Sequence, residues 1–184
     1  MTMCLALLRA VNVGGTGKVP MADLAAMFTE LGLAKPKTYL ATGNVVFVAG
    51  CHDPEDLETQ LAERAQTHFG LKTTFFLRDA AEWDAMLAAN PFPDFAEGFP
   101  SRLLVYSLKS QPDGLAENRM AEALKGRESV RLIGRHLYAT YPDGIADSKL
   151  TLAVIEKALS VAATGRNWNT ANKLASLLAS HGRR

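Results

Sequence analysis

The order in which strand-like and helix-like stretches follow one another constrains this 184-residue chain more than any single motif in it. Residues 3–9 form a short apolar run with strand character. A glycine-rich loop follows. Met21, Leu24, Ala25, Phe28 and Leu31 then recur at helical spacing between Pro20, which suits a first helical turn, and Gly32, which stops the helix. Residues 37–41 and 45–48 read as strands joined by a tight turn over Gly43-Asn44. Asp53-Pro54 caps a helix with Leu57, Leu61, Ala65 and Phe69 on one face, and Gly70 ends it. Residues 71–77 are a strand. This β-α-β-β-α-β order is the split βαβ pattern of a ferredoxin-like unit.

Beyond it, Asp79 with Glu82 forms a capping box for a helix carrying Trp83, Met86 and Leu87, which Asn90-Pro91 ends. Residues 91–101 hold three prolines, a glycine and three phenylalanines, the composition of a linker or of a loop packed by its own aromatics. The order then starts again. Residues 102–108 are a strand, residues 112–124 a helix ending at Gly126, and residues 129–133 and 135–140 a hairpin about Gly134. Asp147 or Ser148 caps a helix running to Leu159. No last strand is evident in this half, and residues 168–180 form a final helix with Leu174, Leu177 and Leu178 on its apolar face. The expected architecture is therefore α+β: two tandem ferredoxin-like halves, residues 1–90 and 102–184, with an extra C-terminal helix. The halves are joined by a linker at 91–101 or share one compact unit.

Composition narrows the function classes. Lys plus Arg is 20 and Asp plus Glu is 19, a net charge of +1. Duplex nucleic-acid binders need a basic excess to displace counterions, so the balance speaks against that role. No apolar run approaches the ~20 residues of a membrane helix. The apolar run at residues 3–8 is too short for a signal peptide and lacks a cleavage site. A cytoplasmic protein with no membrane partner is expected. Two cysteines, Cys4 and Cys51, fit a reducing compartment, and the four histidines show no metal-ligand spacing, so no metal or cofactor is expected.

Three polar clusters carry the candidate site: Asn12-Val13-Gly14-Gly15-Thr16-Gly17-Lys18, Thr42-Gly43-Asn44 and Thr164-Gly165-Arg166-Asn167-Trp168-Asn169-Thr170. The first is not a nucleotide-binding phosphate loop. That motif needs Gly where Asn12 stands and Ser or Thr where Val19 stands, and Pro20 removes an amide donor. Arg9, Asn12, Gly14, Gly15 and Lys18 between a strand and a helix nevertheless suit an anion, since helix N-termini and cations both attract one. Thr42-Gly43-Asn44 is first a hairpin turn, from which Asn44 can present an amide. In the third cluster Asn169 or Thr170 suffices to cap the last helix, which leaves Arg166 and Asn167 for a core carboxylate or for a bidentate phosphate or carboxylate contact. Asp147-Ser148-Lys149 reads as a helix cap with a solvated lysine. Neighbouring helical side chains do not face each other, so a Ser-Lys nucleophile is not expected there.

These same residues carry a family resemblance. Leu7-Leu8-Arg9, Asn12-Val13-Gly14-Gly15, Lys18-Val19-Pro20-Met21, Thr42-Gly43-Asn44-Val45-Val46-Phe47 and Arg166-Asn167-Trp168-Asn169-Thr170 resemble the bacterial domain-of-unknown-function 1697 family over nearly the whole chain. Ala10 stands where that family usually has Gly, and Thr42 where Ser is usual. The resemblance implies a compact α+β fold and a bacterial cytoplasmic protein; the family carries no established activity, so the resemblance leaves the function open.

The expected function is binding of a small anionic ligand such as a nucleotide or phosphorylated metabolite. Arg9, Lys18 and Arg166 would supply charge, and Asn12, Asn44, Asn167 and Asn169 directional hydrogen bonds, provided the clusters meet in space. A cofactor-free enzyme acting on such a ligand is the alternative, although no His, Glu or Asp lies inside the clusters to act as a base. A single-stranded nucleic-acid module is the third reading, resting on Tyr39, Phe47, Phe75, Tyr106 and Tyr138 as stacking candidates. The sequence leaves the oligomeric state and catalytic turnover open.

Overall fold

The computed structural model describes residues 2–9, 19–50 and 52–181. The first half runs β1 (Thr2–Leu8), α1 (Met21–Glu30), β2 (Ala34–Thr38), β3 (Asn44–Ala49), α2 (Pro54–Phe69), β4 (Phe75–Asp79) and α3 (Ala80–Ala88). A short helix α4 (Pro93–Gly98) and a 3-10 turn (Pro100–Arg102) lead into the second half. It runs β5 (Leu103–Leu108), α5 (Ala116–Ala123), β6 (Ser129–Ile133), β7 (His136–Thr140), α6 (Leu152–Leu159), β8 (Ala163–Asn167) and α7 (Trp168–His181). The fold is mixed α+β with two four-stranded antiparallel sheets, ordered β2-β3-β1-β4 and β6-β7-β5-β8. The chain divides into two compact units, Met1–Asp84 with Lys173–Arg184, and Ala85–Asn172.

Strand alternation decides what each sheet buries. In the first sheet Ala6, Leu8, Val45, Phe47, Phe75 and Leu77 face α1 and α2, meeting Leu24, Phe28, Leu57 and Leu61. Phe28 packs edge-on to Phe47 with centroids 5.1 Å apart, a geometry worth about 0.5–1.5 kcal/mol beyond area burial. In the second sheet Tyr106, Leu108, Leu137, Ala139 and Ala163 meet Met120, Ile155 and Leu159 of α5 and α6. Each sheet's edge next to its first strand is blunted from a helix. Glu58 of α2 accepts from Leu77 N at 2.6 Å, and Glu156 of α6 accepts from Ala163 N at 2.9 Å. These carboxylates satisfy edge donors that would otherwise invite a further strand.

Local signals account for most boundaries. Asp53 Oδ1 accepts from Glu55 N and Asp56 N at the start of α2, and Gly70 closes it in the left-handed region at φ 61. The aromatics of the 91–101 segment pack on one another: Phe95 and Phe99 lie 5.4 Å apart, and the Arg102 guanidinium sits over Phe99.

Four expectations need correction. The second strand lies at Ala34–Thr38 rather than 37–41, because Leu40 adopts a φ of 60 and a register shift between Ala34 and Lys37 offsets the pairing. The fourth strand starts at Phe75 rather than Leu71. Leu71 N instead bonds Ala65 O to close α2, and pairing with β1 begins at Leu8↔Phe75. α6 starts at Leu152 with Thr151 as its cap, not Asp147 or Ser148; Ser148 Oγ bonds the Glu128 carboxylate instead. Finally, the second half has its last strand, β8, in the stretch read as a polar segment before the final helix.

Candidate functional site

Asn12, Gly14, Gly15 and Lys18 lie outside the described residues. The other expected site residues fall into two groups, one in each unit. In the first unit, Arg9 follows β1. Its N–H donates to Thr74 O at 3.1 Å and its carbonyl accepts from Thr73 Oγ1 at 2.8 Å. Asn44 opens β3 opposite Leu7 and is fully buried, donating through Nδ2 to Tyr39 O at 2.7 Å and Thr42 Oγ1 at 3.2 Å. Its amide hydrogens therefore close the turn. Gly43 is obligatory in that turn: its φ is 79, and a Cβ would come within 2.8 Å of Leu8 Cβ.

In the second unit, Arg166 lies on β8 with 8% of its surface exposed, followed by Asn167 and then, one position into the first turn of α7, the exposed Asn169. The helix cap is Asn167, not Asn169 or Thr170: Asn167 Oδ1 accepts from Thr170 N at 2.9 Å. Arg166 Nη1 donates to Gly165 O at 2.8 Å and to Thr164 Oγ1 at 2.9 Å, both neutral oxygens. Burial pulls its guanidinium down from 12.5 to about 10, so the charge loses more in desolvation than its surroundings return.

The first half contains the counterpart of this junction. Arg78 pairs in register with Leu5 as Arg166 does with Val105, and Asp79 with Cys4 as Asn167 does with Leu104. Arg78 Nη1 likewise donates to the preceding carbonyl, Leu77 O, at 2.7 Å, and Asp79 Oδ1 accepts from Glu82 N at 2.7 Å. The difference is in the acids. Arg78 has Glu82 one helical turn on, with Nε to Oε1 at 3.4 Å. The position four residues after Arg166 is Thr170, and the cap is Asn rather than Asp. Both acidic positions of the first junction are neutral in the second, while the buried arginine is kept.

The sheet face that carries these arginines differs in the same sense. In the first half, Leu7 is the cross-strand partner of both Asn44 and Phe76. In the second, Ser107 is the partner of both His136 and Thr164. Ser107, His136 and Thr164 are all buried, and Ser107 Oγ has no hydrogen-bond partner among the described residues. The row His136–Ser107–Thr164 runs across β7, β5 and β8, and the bond from Arg166 to Thr164 brings the guanidinium to its end. Thr140 and Tyr138 extend the polar face, with Tyr138 Oη donating to Met86 O at 2.6 Å.

On the opposite face Tyr106 crosses Gly165 so closely that a Cβ there would lie 2.6 Å from the ring. Tyr106 and Tyr141 hydroxyls meet at 2.7 Å, and Tyr141 also reaches Leu150 O at 3.1 Å. A carbonyl only accepts, so Tyr141 donates to it and Tyr106 donates to Tyr141. Burial raises both phenols, and Tyr138 to about 12. Of the aromatics considered for base stacking, Phe47, Phe75, Tyr106 and Tyr138 are buried and offer no face to a base.

Sequence inspection missed Ser107, His136 and the Arg78 counterpart. The trace in the sequence is a polar residue in an apolar run: Ser107 interrupts Leu103–Leu108, where the period does not separate one buried face from the other.

A protein-family model described as "Protein of unknown function (DUF1697)" matches residues 1–138. No curated protein matches the chain. In structure it is similar to the conserved bacterial protein SP0830 from Streptococcus pneumoniae, at 24% identity and a TM-score of 0.75, covering 96% of this chain and 98% of that one. That likeness concerns the fold.

Proposed function

The chain belongs to the DUF1697 family, and we propose that this member binds a small anionic ligand at the β8–α7 junction of its second half, a phosphorylated metabolite or nucleotide fitting best. We read its halves as tandem ferredoxin-like units, each followed by a helix. One observation carries the functional reading: the second half keeps the buried arginine of the first and replaces both neighbouring acids, so Asn167 and Thr170 stand where Asp79 and Glu82 stand. A cation that burial disfavours gains most from an anion supplied from outside. Asn167 uses only its oxygen for the cap, and Asn169 adds a second amide at the exposed start of α7, whose N-terminus also favours negative charge.

The test is a thermal-shift series with inorganic phosphate, ribose 5-phosphate and AMP on the parent, Arg166→Met and Thr170→Glu. Thr170→Glu rebuilds the pair seen at Arg78–Glu82, so it should raise the melting temperature of the ligand-free protein and remove the response. A ligand at about a hundred times its Kd adds about 2.7 kcal/mol to the parent. The reading is lost if no anion stabilises the parent, or if the same anion stabilises both variants equally.

A further inference from the structure

A cavity of about 540 Å³ opens between α5 and α6 of the second half, a size that suits a small-molecule ligand. Ala123, Val154 and Ala158 give it an apolar floor, and Arg119, Lys125, Lys149 and Lys157 stand around that floor. Four cations thus share one cavity in a chain whose net charge is +1. Going beyond the β8–α7 reading and resting on none of it, we infer that this cavity binds an elongated dianion, with a charge at each end and a hydrocarbon middle.

The cations fall at two ends. Arg119 Nε donates to Ala158 O, which sets the first half of α5 against the last turn of α6, where Lys157 also lies. Lys125 follows α5 and Lys149 precedes α6. Both line this cavity and a smaller one of about 190 Å³ beside it, so they mark its other end. Residues 119 and 125 are set apart by roughly 9 Å at the helical rise of about 1.5 Å per residue. The protein leaves this charge unanswered. No carboxylate among the described residues pairs with Lys149 or Lys157. Glu128 accepts from Ser148 Oγ, and Asp143 pairs with Arg127 at 2.8 Å. Arg119 reaches Asp113 through Nη2 at 3.0 Å, and its Nη1 has no partner among the described residues. The one acid of the lining, Glu122, is exposed, and Lys125 Nζ bonds its backbone carbonyl at 2.8 Å rather than its carboxylate. Cations at both ends call for an anion at each. The floor between them carries no hydrogen-bonding side chain, so it favours methylene groups. The three lysines are exposed, so the ligand reaches them directly from solvent.

The test titrates the full chain calorimetrically with suberate, with octanoate, which has the same number of carbons and one carboxylate, and with succinate, a dicarboxylate too short to join the two ends. Suberate should bind at least about tenfold more tightly than either, the worth of one further charge-assisted contact. Lys149→Met and Lys157→Met should each bring suberate down to the affinity of octanoate. Both lysines are exposed and unpaired among the described residues, so neither change should move the ligand-free melting temperature. Arg166→Met should leave suberate binding as it is, because Arg166 does not line the cavity. Suberate binding that is no tighter than that of octanoate, or that survives both lysine changes unaltered, overturns the inference, as does the absence of binding. Loss of suberate binding in Arg166→Met also overturns it and moves the dianion to the β8–α7 junction.

Discussion

The two halves of this chain repeat seven elements in one order and pair β1 and β5 with their neighbours in one register, yet they bury different chemistry. The first half is a self-sufficient version of the unit. Leu7 and Phe76 fill the face that carries Arg78, and Glu82 lies at 3.4 Å from its guanidinium. The second half puts Ser107 and Thr164 at the matching positions and keeps Arg166 with Asn167 and Thr170 around it. Because the scaffold is common to both, the polar residues of the second half are not a requirement of the fold. A second contrast is purely steric. Ala6 faces Leu77 in the first half, and Tyr106 faces Gly165 in the second. Small and large partners have traded strands, conserving the volume that a packed core demands.

The largest expected effect comes from breaking that steric trade. Gly165→Ala places a Cβ 2.6 Å from the Tyr106 ring, which is locked by its bond to Tyr141, and should cost about 3 kcal/mol. Pairing Gly165→Leu with Tyr106→Ala, which copies the first half, should recover part of any loss seen with Gly165→Leu alone. Urea unfolding reads both, and a Gly165→Ala protein as stable as the parent would mean that the ring moves aside freely.

Next in size is the arginine contrast. Arg78→Met removes a buried cation that has a carboxylate and a carbonyl in place, and should cost about 2 kcal/mol. Arg166→Met removes one held down by desolvation, and should be neutral or stabilising without ligand. Equal losses in chemical denaturation would show that the two junctions are energetically alike, and the contrast would collapse.

The smallest effect is in pH. Tyr106, Tyr138 and Tyr141 all lie in the second half, and burial raises each above the ordinary phenol value of 10.0. The folded state therefore holds fewer ionised phenols than the unfolded chain. Their contribution to stability is intact below pH 10 and is lost as the pH climbs from there towards about 12. Arg166 has the opposite sign, since the unfolded chain retains its proton longer than the folded one above about pH 10. Alkaline melting curves should thus fall beyond pH 10, and fall more steeply in Arg166→Met. A flat profile would mean that these hydroxyls ionise as freely folded as unfolded.

Much of this could be read from residue types. Asp53 and Asp79 announce their helices by capping them, and the short, nearly continuous apolar runs at Val45–Phe47 and Leu103–Leu108 announce buried strands. β8 could not be read that way. Thr164, Gly165, Arg166 and Asn167 have poor strand character, and the segment is a strand because β5 offers it an edge and Tyr106 fills the room that Gly165 leaves. Arg166 and Asn167 were visible as polar residues on a glycine-bearing segment. Ser107 and His136 were not, because each sits in a run where period alone cannot separate one buried face from the other.

The sequence by itself thus determined the α+β class, most helix ends and the order of the elements other than α4 and β8, since caps, turns and periodicity act through neighbours in the chain. Only the tertiary structure decided that Arg78 and Arg166 occupy matching places, and that Ser107 lies between Thr164 and His136 in one buried row. Those relations are set by strand register across residues far apart in sequence. Whether a buried charge or hydroxyl is satisfied depends on the partners which that register supplies.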